Sequence, residues 1–228
     1  MDLLEIERLV VAHGLHLRGG FHPTDEDGVP ALPDGQVPAT LLLIGNVGGS
    51  LWPAFSQSVE AGDGAPDPLN RWTERVIGGI ARAVGATPLY PFGGPPYLPF
   101  QRWAMRADPV APSPLGILIH PDYGLWHAYR GALAFAEQLA LPPRAERPRP
   151  CDSCAGRPCL SACPVGAFTA QGYDVPACLV QIASPPGKAC MAAGCLARRA
   201  CPVGSAYGYG EAQAGFHMAA FRAAHRDG

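Results

Sequence analysis

The chain has 228 residues, of which 48% are apolar, and a formal net charge of −2. This length suits one large domain or a domain with a small module, and the apolar share allows a true core. The near-neutral charge excludes the strongly basic surface that captures phosphate backbones, so no nucleic-acid partner is expected. Gly and Pro together occupy 54 positions, which predicts many turns and irregular segments.

The N-terminal segment, MDLLEIERLVV, begins with acidic residues instead of the basic stretch of a signal peptide. No apolar run in the sequence approaches the ~20 residues that a membrane-spanning helix needs. We therefore expect a soluble cytoplasmic protein with no membrane partner. Apolar residues of this segment recur at helical spacing opposite charged ones, which predicts an opening amphipathic helix.

Strands and helices are predicted to alternate through the first 150 residues. Apolar runs at 39–45 and 115–120 indicate buried strands, and 131–139 indicates a strand or a short helix. GNVGGS, which follows the first of these runs, matches neither the P-loop nor the dinucleotide pattern and is interpreted as a strand-to-helix turn. Asp67 and Pro68 form an N-cap and first-turn pair for another helix. The alternation predicts an α/β or α+β layered fold.

All eight cysteines fall between residues 151 and 201, which divides the chain into two parts. Residues 141–150, LPPRAERPRP, contain four prolines and three arginines, a composition that predicts an extended connector. We therefore expect an α+β domain at 1–147 and a small cysteine module at 148–228.

The cysteine spacing favours iron-sulfur clusters over disulfides or zinc. Disulfides are not expected in a chain with no signal peptide and enough residues for a core. Structural zinc favours two close cysteine pairs, whereas only Cys151 and Cys154 form one. Residues 151–164 instead follow C-x2-C-x4-C-x3-C-P, and residues 178–202 follow C-x11-C-x4-C-x5-C-P. Two 4Fe-4S clusters account for every cysteine, since the cysteine before proline often binds the neighbouring cluster.

The tetrapeptide CPVG occurs twice, at 163–166 and 201–204, and each copy closes one group of cysteines. Gly166 and Gly204 let the backbone bend closely around the sulfurs. The nearby Phe168, Tyr207 and Tyr209 are interpreted either as shielding for the clusters or as ordinary core. With the ligands crossed, one predicted cluster is bound by Cys151, Cys154, Cys159 and Cys201, and the other by Cys178, Cys190, Cys195 and Cys163.

This cysteine pattern resembles the two-cluster bacterial ferredoxin family, with two departures. Four residues, not two, separate Cys154 from Cys159, and the second half of the pattern is stretched. The second half of the pattern has a lone upstream cysteine followed by a closing Cys-Pro group. In this it is more similar to the C-terminal half of the cobalamin-dependent iron-sulfur reductases, namely the epoxyqueuosine reductases and the reductive dehalogenases. The resemblance implies electron transfer with a redox protein as donor or acceptor.

Residues 113–135, SPLGILIHPDYGLWHAYRGALAF, resemble a segment of the cobalamin-processing (cblC) family, in which Ile-His-Pro is followed by an aromatic residue, Gly, Trp and Arg-Gly. Residues 67–86 are similar to the helix before the cobalamin face in both families. The resemblance implies a nitroreductase-like domain that holds a corrinoid. No D-x-H-x-x-G motif is present, so the corrinoid would lack a histidine ligand of that type. The implied contacts are Ile119, His120, Trp126 and Arg130, of which His120 and Trp126 also suit purely structural roles.

One departure from the epoxyqueuosine reductases bears on function. Those enzymes carry a proton-donating aspartate in a Val-Asp-Ser-x-Pro-like stretch after the central helix, where this chain has YPFGGPPYLPFQRW at 90–103. The tRNA-modifying reaction is therefore not expected, and no catalytic residue is assigned. The sequence predicts a two-cluster protein that reduces a corrinoid. The alternatives are a ferredoxin-like carrier whose N-terminal domain docks a protein partner, and a flavin in the same cleft.

Overall fold

The computed structural model of the chain describes residues 2–169 and 171–225. The helices in these residues are α1 (Leu3–Val11), α2 (Trp52–Ser56), α3 (Val59–Gly62), α4 (Pro68–Val84), α5 (Phe100–Ala107), α6 (Pro158–Ser161), α7 (Val175–Ala183), α8 (Lys188–Ala193), α9 (Leu196–Arg199) and α10 (Glu211–Ala224). The strands are β1 (His16–Phe21), β2 (Thr40–Val47), β3 (Thr87–Leu89), β4 (Ala111–Pro112), β5 (Leu118–Ile119), β6 (His127–Phe135), β7 (Phe168–Thr169) and β8 (Gly172–Tyr173). This mixture confirms the predicted α+β class, while the nitroreductase-like and ferredoxin-like assignments stay predictions.

The chain forms two compact units that are not consecutive in sequence. The first unit comprises Met1–Pro109 and His127–Glu146, and the second comprises Val110–Trp126 and Arg147–Gly228. The domain bounds expected from the sequence, 1–147 and 148–228, stay a prediction. Segment 110–126 packs with the cysteines because its apolar residues Leu115, Ile119 and Leu125 are buried in the core of the second unit.

The first unit is built on one antiparallel sheet with the strand order β1-β2-β6-β3. β2 is buried along seven of its eight residues, as expected of a strand that is apolar on both faces. It pairs with β6 from Thr40 opposite Phe135 to Val47 opposite His127. The strand predicted at 39–45 is confirmed. For residues 131–139 the strand interpretation is correct through Phe135.

Two predicted helices of the first unit are present, and one predicted cap is wrong. α1 begins after Asp2, whose carboxylate accepts a hydrogen bond from the Leu4 amide, and it buries Ile6 and Val10. α4 begins at Pro68 as predicted. Asp67, however, has a φ of 51° and makes no side-chain capping hydrogen bond, because a left-handed residue does not have the extended conformation in which an N-cap side chain reaches the first turn.

Helices α3 and α4 are joined by an ion pair whose carboxylate is buried. Arg75 donates from Nε and Nη2 to the two carboxylate oxygens of Glu60 at 2.5 and 3.0 Å. These hydrogen bonds lower the pKa of Glu60 from 4.5 to about 2. The Arg75 side chain is 56% exposed, so solvent screens the pair and limits its contribution to stability.

The Glu60–Arg75 pair predicts a pH-dependent stability. Because the pKa of Glu60 is lower in the folded than in the unfolded chain, its contribution is present above pH 4.5 and is lost as the pH falls toward about 2. Arg75→Gln is expected to lose about 1 kcal/mol at neutral pH and to flatten the acid limb of the stability curve. Urea unfolding at a series of acidic pH values measures both effects. An acid limb of unchanged slope in the variant would contradict this assignment.

The second unit consists of short helices and two small hairpins, β4-β5 and β7-β8. The strand predicted at 115–120 is wrong over most of its length, since only Leu118 and Ile119 are in a strand. Residues 113–117 instead form the turn of the β4-β5 hairpin, in which the Ser113 amide donates to the Ile117 carbonyl at 3.0 Å. Gly116 has a φ of 75° and supplies the left-handed residue of this turn. None of the described helices is long and apolar enough to cross a bilayer.

Candidate metal centres

The eight cysteines lie on short helices and turns of the second unit. Cys159 is on α6, Cys178 on α7 and Cys190 on α8, and Cys195 is the N-cap residue of α9. None of the eight forms a disulfide. Because the helices that carry them have four to nine residues, the chain reverses often enough to bring cysteines that are distant in sequence into the same place.

The cysteines line two separate cavities in sets of four. Cavity A is narrow, and its wall also includes four prolines, Ile119, Arg157 and Val203. Cavity B has a volume of about 320 Å³ and apolar walls from Phe168, Ile182 and Phe221. The structure thus brings together the two sets that the crossed assignment predicts, although their role as ligands stays a prediction. The thiols of cavity A are Cys151, Cys154, Cys159 and Cys201, and those of cavity B are Cys163, Cys178, Cys190 and Cys195.

The electrostatics of the thiols follow the same two sets. Burial raises the pKa of Cys151, and the neighbouring sulfurs of Cys201 and Cys159 raise it further. In cavity B, burial raises the pKa of Cys195, and interaction with Cys178 and Cys163 adds to this effect. Four thiolates in one apolar space repel one another, so they are stable together only around a cationic centre.

One backbone amide donates a hydrogen bond to a sulfur of cavity B. The Ala167 amide donates to Cys163 Sγ at 3.4 Å. Backbone groups of α9 partly offset the rise in the pKa of Cys195 that burial causes, and the backbone at Val203 does the same for Cys201. Amide hydrogen bonds to ligand sulfurs are among the interactions that set the reduction potential of an iron-sulfur cluster.

The donor sets fit clusters better than they fit single ions. Within residues 2–169 and 171–225, no group of three or more Cys, His, Asp or Glu side chains is placed to hold one metal ion. A 4Fe-4S cluster is held by four cysteine thiolates, each bound to a different iron. Its ligands therefore surround a space and do not converge on a point. Four thiols and apolar lining residues are present at each cavity, as these requirements demand.

Three of the four predicted corrinoid contacts lie in the second unit, where they already have partners. Ile119 lines cavity A and is buried beside Cys201. His120 is 5% exposed, and its Nδ1 accepts hydrogen bonds from the amides of Asp122 and Tyr123 at 3.0 and 3.3 Å. Trp126 packs edge-on against Tyr209, with ring centroids 5.3 Å apart. All three residues are part of the internal packing of the second unit.

Arg130, the fourth predicted contact, lies on β6 in the first unit. Its Nη2 donates to Asn70 Oδ1 and Thr73 Oγ1 of α4 at 3.0 and 3.1 Å. The guanidinium also lies over the ring of Phe92 at 5.5 Å. No single unit contains all four predicted contacts, and their role toward a corrinoid stays a prediction.

Tyr173, which is not among the site residues predicted from the sequence, lines cavity B together with residues of α10. Its ring stacks on Phe168 with the centroids 4.7 Å apart, and burial, with a further effect of the neighbouring Cys178, raises the pKa of its hydroxyl. Of the three aromatic residues considered from the sequence, Phe168 lines cavity B, Tyr209 is buried against Trp126, and Tyr207 is 39% exposed. Its position in the sequence between Cys163 and Cys178 is the signal that could have identified Tyr173 as a residue of this cavity.

The glycines of the two CPVG copies differ in their surroundings, which allows a matched test. Gly166 and Gly204 have φ values of 60° and 67°, but a Cβ added to Gly204 would lie 2.2 Å from the Tyr123 carbonyl carbon, whereas one added to Gly166 meets nothing within 4 Å. Gly166→Ala is expected to lose about 1–2 kcal/mol from the left-handed backbone alone. Gly204→Ala is expected to lose clearly more, as measured by urea unfolding. Equal losses would contradict close packing at Gly204.

No protein-family model matches the chain, and no curated protein matches its sequence. Solved structures do match. The B12-trafficking protein CblC of C. elegans, a homologue of human MMACHC, is 17% identical over 96% of this chain and 95% of its own, with a TM-score of 0.55. A selenomethionine-labelled epoxyqueuosine reductase is 11% identical over 93% of this chain and 69% of its own, with a TM-score of 0.52. The epoxyqueuosine reductase of Streptococcus thermophilus is 16% identical over 89% of this chain and 66% of its own, also with a TM-score of 0.52. The chain therefore has a fold similar to those of CblC and the epoxyqueuosine reductases.

Proposed function

We propose that this chain is a redox protein that binds two 4Fe-4S clusters in its second unit and passes electrons, one at a time, to a corrinoid. The observation that carries the proposal is the division of eight cysteines into two cavities of four. Every cysteine of the chain belongs to one of the two sets, which is expected of a two-cluster protein.

The residues of cavities A and B would bind the clusters and control their surroundings. The cysteine sulfurs would be the ligands, the Ala167 amide would donate a hydrogen bond to Cys163, and the apolar walls would exclude water. When bound, such clusters supply one-electron transfer at a potential set by charge, hydrogen bonds and solvent exposure.

The choice of a corrinoid as acceptor is supported by two similarities. Residues 113–135 resemble the cobalamin-processing family, and the fold similarity to a B12-trafficking protein extends over nearly the whole of both chains. Reduction of cobalt requires a donor close by in a site that excludes water. In place of the aspartate stretch of the epoxyqueuosine reductases, residues 90–99 contain Gly93, Gly94 and four prolines, which argues against the tRNA-modifying reaction for this chain.

A second candidate is an electron carrier whose first unit docks a redox partner or holds a flavin, without a corrinoid. It is favoured because residues that the cblC resemblance implies as corrinoid contacts already have partners within the protein. His120 and Trp126 are packed within the second unit, and Arg130 is held by α4.

Anaerobic purification followed by optical spectroscopy separates these candidates. The protein is reconstituted with iron and sulfide and then incubated with hydroxocobalamin or FMN, each followed by gel filtration. Retention of corrinoid absorbance with the protein is the expected result. Retention of FMN alone would support the flavin site, and cluster absorbance with neither ligand retained would favour the plain carrier and overturn the corrinoid proposal.

A further inference from the structure

The two units of the chain carry formal charges of opposite sign. The second unit has eight Lys or Arg residues and five Asp or Glu residues, whereas the first unit has nine and fourteen. The unit that contains both cavities therefore has a formal net charge of +3, and the other unit has −5. Because a net charge steers the approach of oppositely charged molecules, the second unit favours an acidic partner.

Two exposed arginines lie beside cavity A. Arg157 is part of the cavity wall, and Arg149 immediately precedes Pro150 of the same wall. Neither guanidinium has a hydrogen bond or an ion pair within the part of the chain that the structure describes. The nearby Arg147, by contrast, pairs with Asp122 at 2.7 Å. Arg149 and Arg157 thus keep their donors available for a molecule that binds from outside.

The loop between these two arginines allows a partner to come close to cavity A. Its exposed residues Ser153, Ala155 and Gly156 have small side chains or none, and a Cβ added to Gly156 would meet nothing within 4 Å. Asp152 is the one acidic residue of this loop, against an arginine at each end. Because electron transfer slows steeply with distance, small side chains around Cys154 favour the entry of electrons here.

Cavity B is less open to a charged partner. The large side chains of Phe168, Met218 and Phe221 line it. Arg198 also lines this cavity, but its Nε donates to the Leu125 carbonyl at 3.1 Å, and its charge is held within the unit. The arginines of cavity A are therefore better placed to bind an acidic protein.

We propose that an acidic one-electron carrier protein docks on the face formed by Arg149, Arg157 and the loop between them, and delivers electrons to the cluster in cavity A. In each transfer the carrier loses one electron and is oxidised, and the cluster gains that electron and is reduced. The proposal rests on the proposed function, because it requires a cluster in cavity A. RNA suits this face less well, since residues 149–157 include no aromatic side chain on which a base could stack.

The test is stopped-flow reduction of the anaerobically reconstituted full chain by an acidic 2Fe-2S ferredoxin, at a series of salt concentrations. The wild-type rate should fall as salt rises from about 0.01 M to about 1 M, because screening shortens the reach of the charges. Arg149→Glu and Arg157→Glu are each expected to lower the rate about tenfold at low salt and to weaken its salt dependence. Each rate is divided by the rate with dithionite, which needs no docking face.

Arg222→Glu is the matched control, because it makes the same change of charge in the same unit. Arg222 lies on α10 next to Phe221 of cavity B, and its side chain has no partner among the described residues. It is expected to change the normalised rate by less than about twofold. Arg157→Lys keeps the positive charge and should keep the wild-type rate.

Several outcomes would overturn the docking face. These are iron-loaded Arg149→Glu and Arg157→Glu proteins with the wild-type rate, a larger loss in Arg222→Glu, and wild-type clusters that dithionite reduces but the ferredoxin does not. If Arg157→Glu loses iron, Arg149→Glu decides alone, since Arg149 is outside the cavity wall. An RNA stem-loop that binds through Arg149 while the ferredoxin rate ignores it would also overturn the proposal. Wild-type protein that takes up no iron would overturn the proposed function itself.

Discussion

Replacing Cys201 with alanine is expected to lower the iron content of the reconstituted protein from about eight to about four atoms per chain. Cys201 lies in the second CPVG copy, yet its sulfur lines cavity A with three cysteines from the first group. A 4Fe-4S cluster that loses one of four thiolates is expected to be lost or strongly destabilised. Iron analysis and the intensity of the cluster absorbance measure the loss.

Double variants identify which cluster is lost. Cys154 shares cavity A with Cys201, so adding Cys154→Ala to Cys201→Ala should remove no further iron. Cys190 lines cavity B, so adding Cys190→Ala should remove nearly all of it. The reverse pattern, with Cys190→Ala adding nothing, would mean that Cys201 binds the other cluster and that the crossed assignment is wrong.

The second large effect is expected in the first unit, where Arg18→Ala should cost about 3–5 kcal/mol of stability. Arg18 is 3% exposed, and its Nη2 donates to Asp108 Oδ2 at 2.6 Å. Asp108 Oδ2 also accepts from the Tyr129 hydroxyl at 2.7 Å. Burial raises the pKa of Tyr129, so its hydroxyl stays a donor and cannot replace the lost positive charge. The carboxylate would be left buried without its cation.

Arg71→Ala is the control for this prediction. Arg71 pairs with Asp63 at 2.7 Å, but both side chains are about one-third exposed, and water can solvate Asp63 when its partner is removed. The expected loss is much smaller than that of Arg18→Ala, because solvent screens an exposed pair. Urea unfolding of both variants at neutral pH measures the difference. Equal losses would mean that the buried pair around Asp108 is as well solvated as the surface pair.

The parts of the fold that sequence predicted well are those with a strong local pattern. The spacing of Ile6 and Val10 predicts α1, and the continuous apolar run 39–45 predicts β2, because each buries its apolar positions against the same sheet-based core. The spacing also predicts the two sets of four cysteines that line the cavities, since the cysteine before proline often binds the neighbouring cluster, and their role as ligands stays a prediction.

The errors arose where tertiary contacts override local pattern. Residues 115–120 are apolar enough for a strand, but Gly116 makes a turn and the surrounding residues pack beside Cys201. No local signal reveals that segment 110–126 packs with Ala197 and Cys201, which lie far later in the chain. Aspartate is a residue type that favours the N-cap position, but the backbone of Asp67 lacks the extended conformation that capping needs. The stacking of Tyr173 on Phe168 at cavity B depends on the β7-β8 hairpin, which cysteine spacing alone does not predict.

The presence of two clusters is tested by counting iron and acid-labile sulfide in the anaerobically reconstituted full chain. About eight of each are expected per chain, as two 4Fe-4S clusters require. A protein that binds one cluster, or that takes up metal without sulfide, would contradict it.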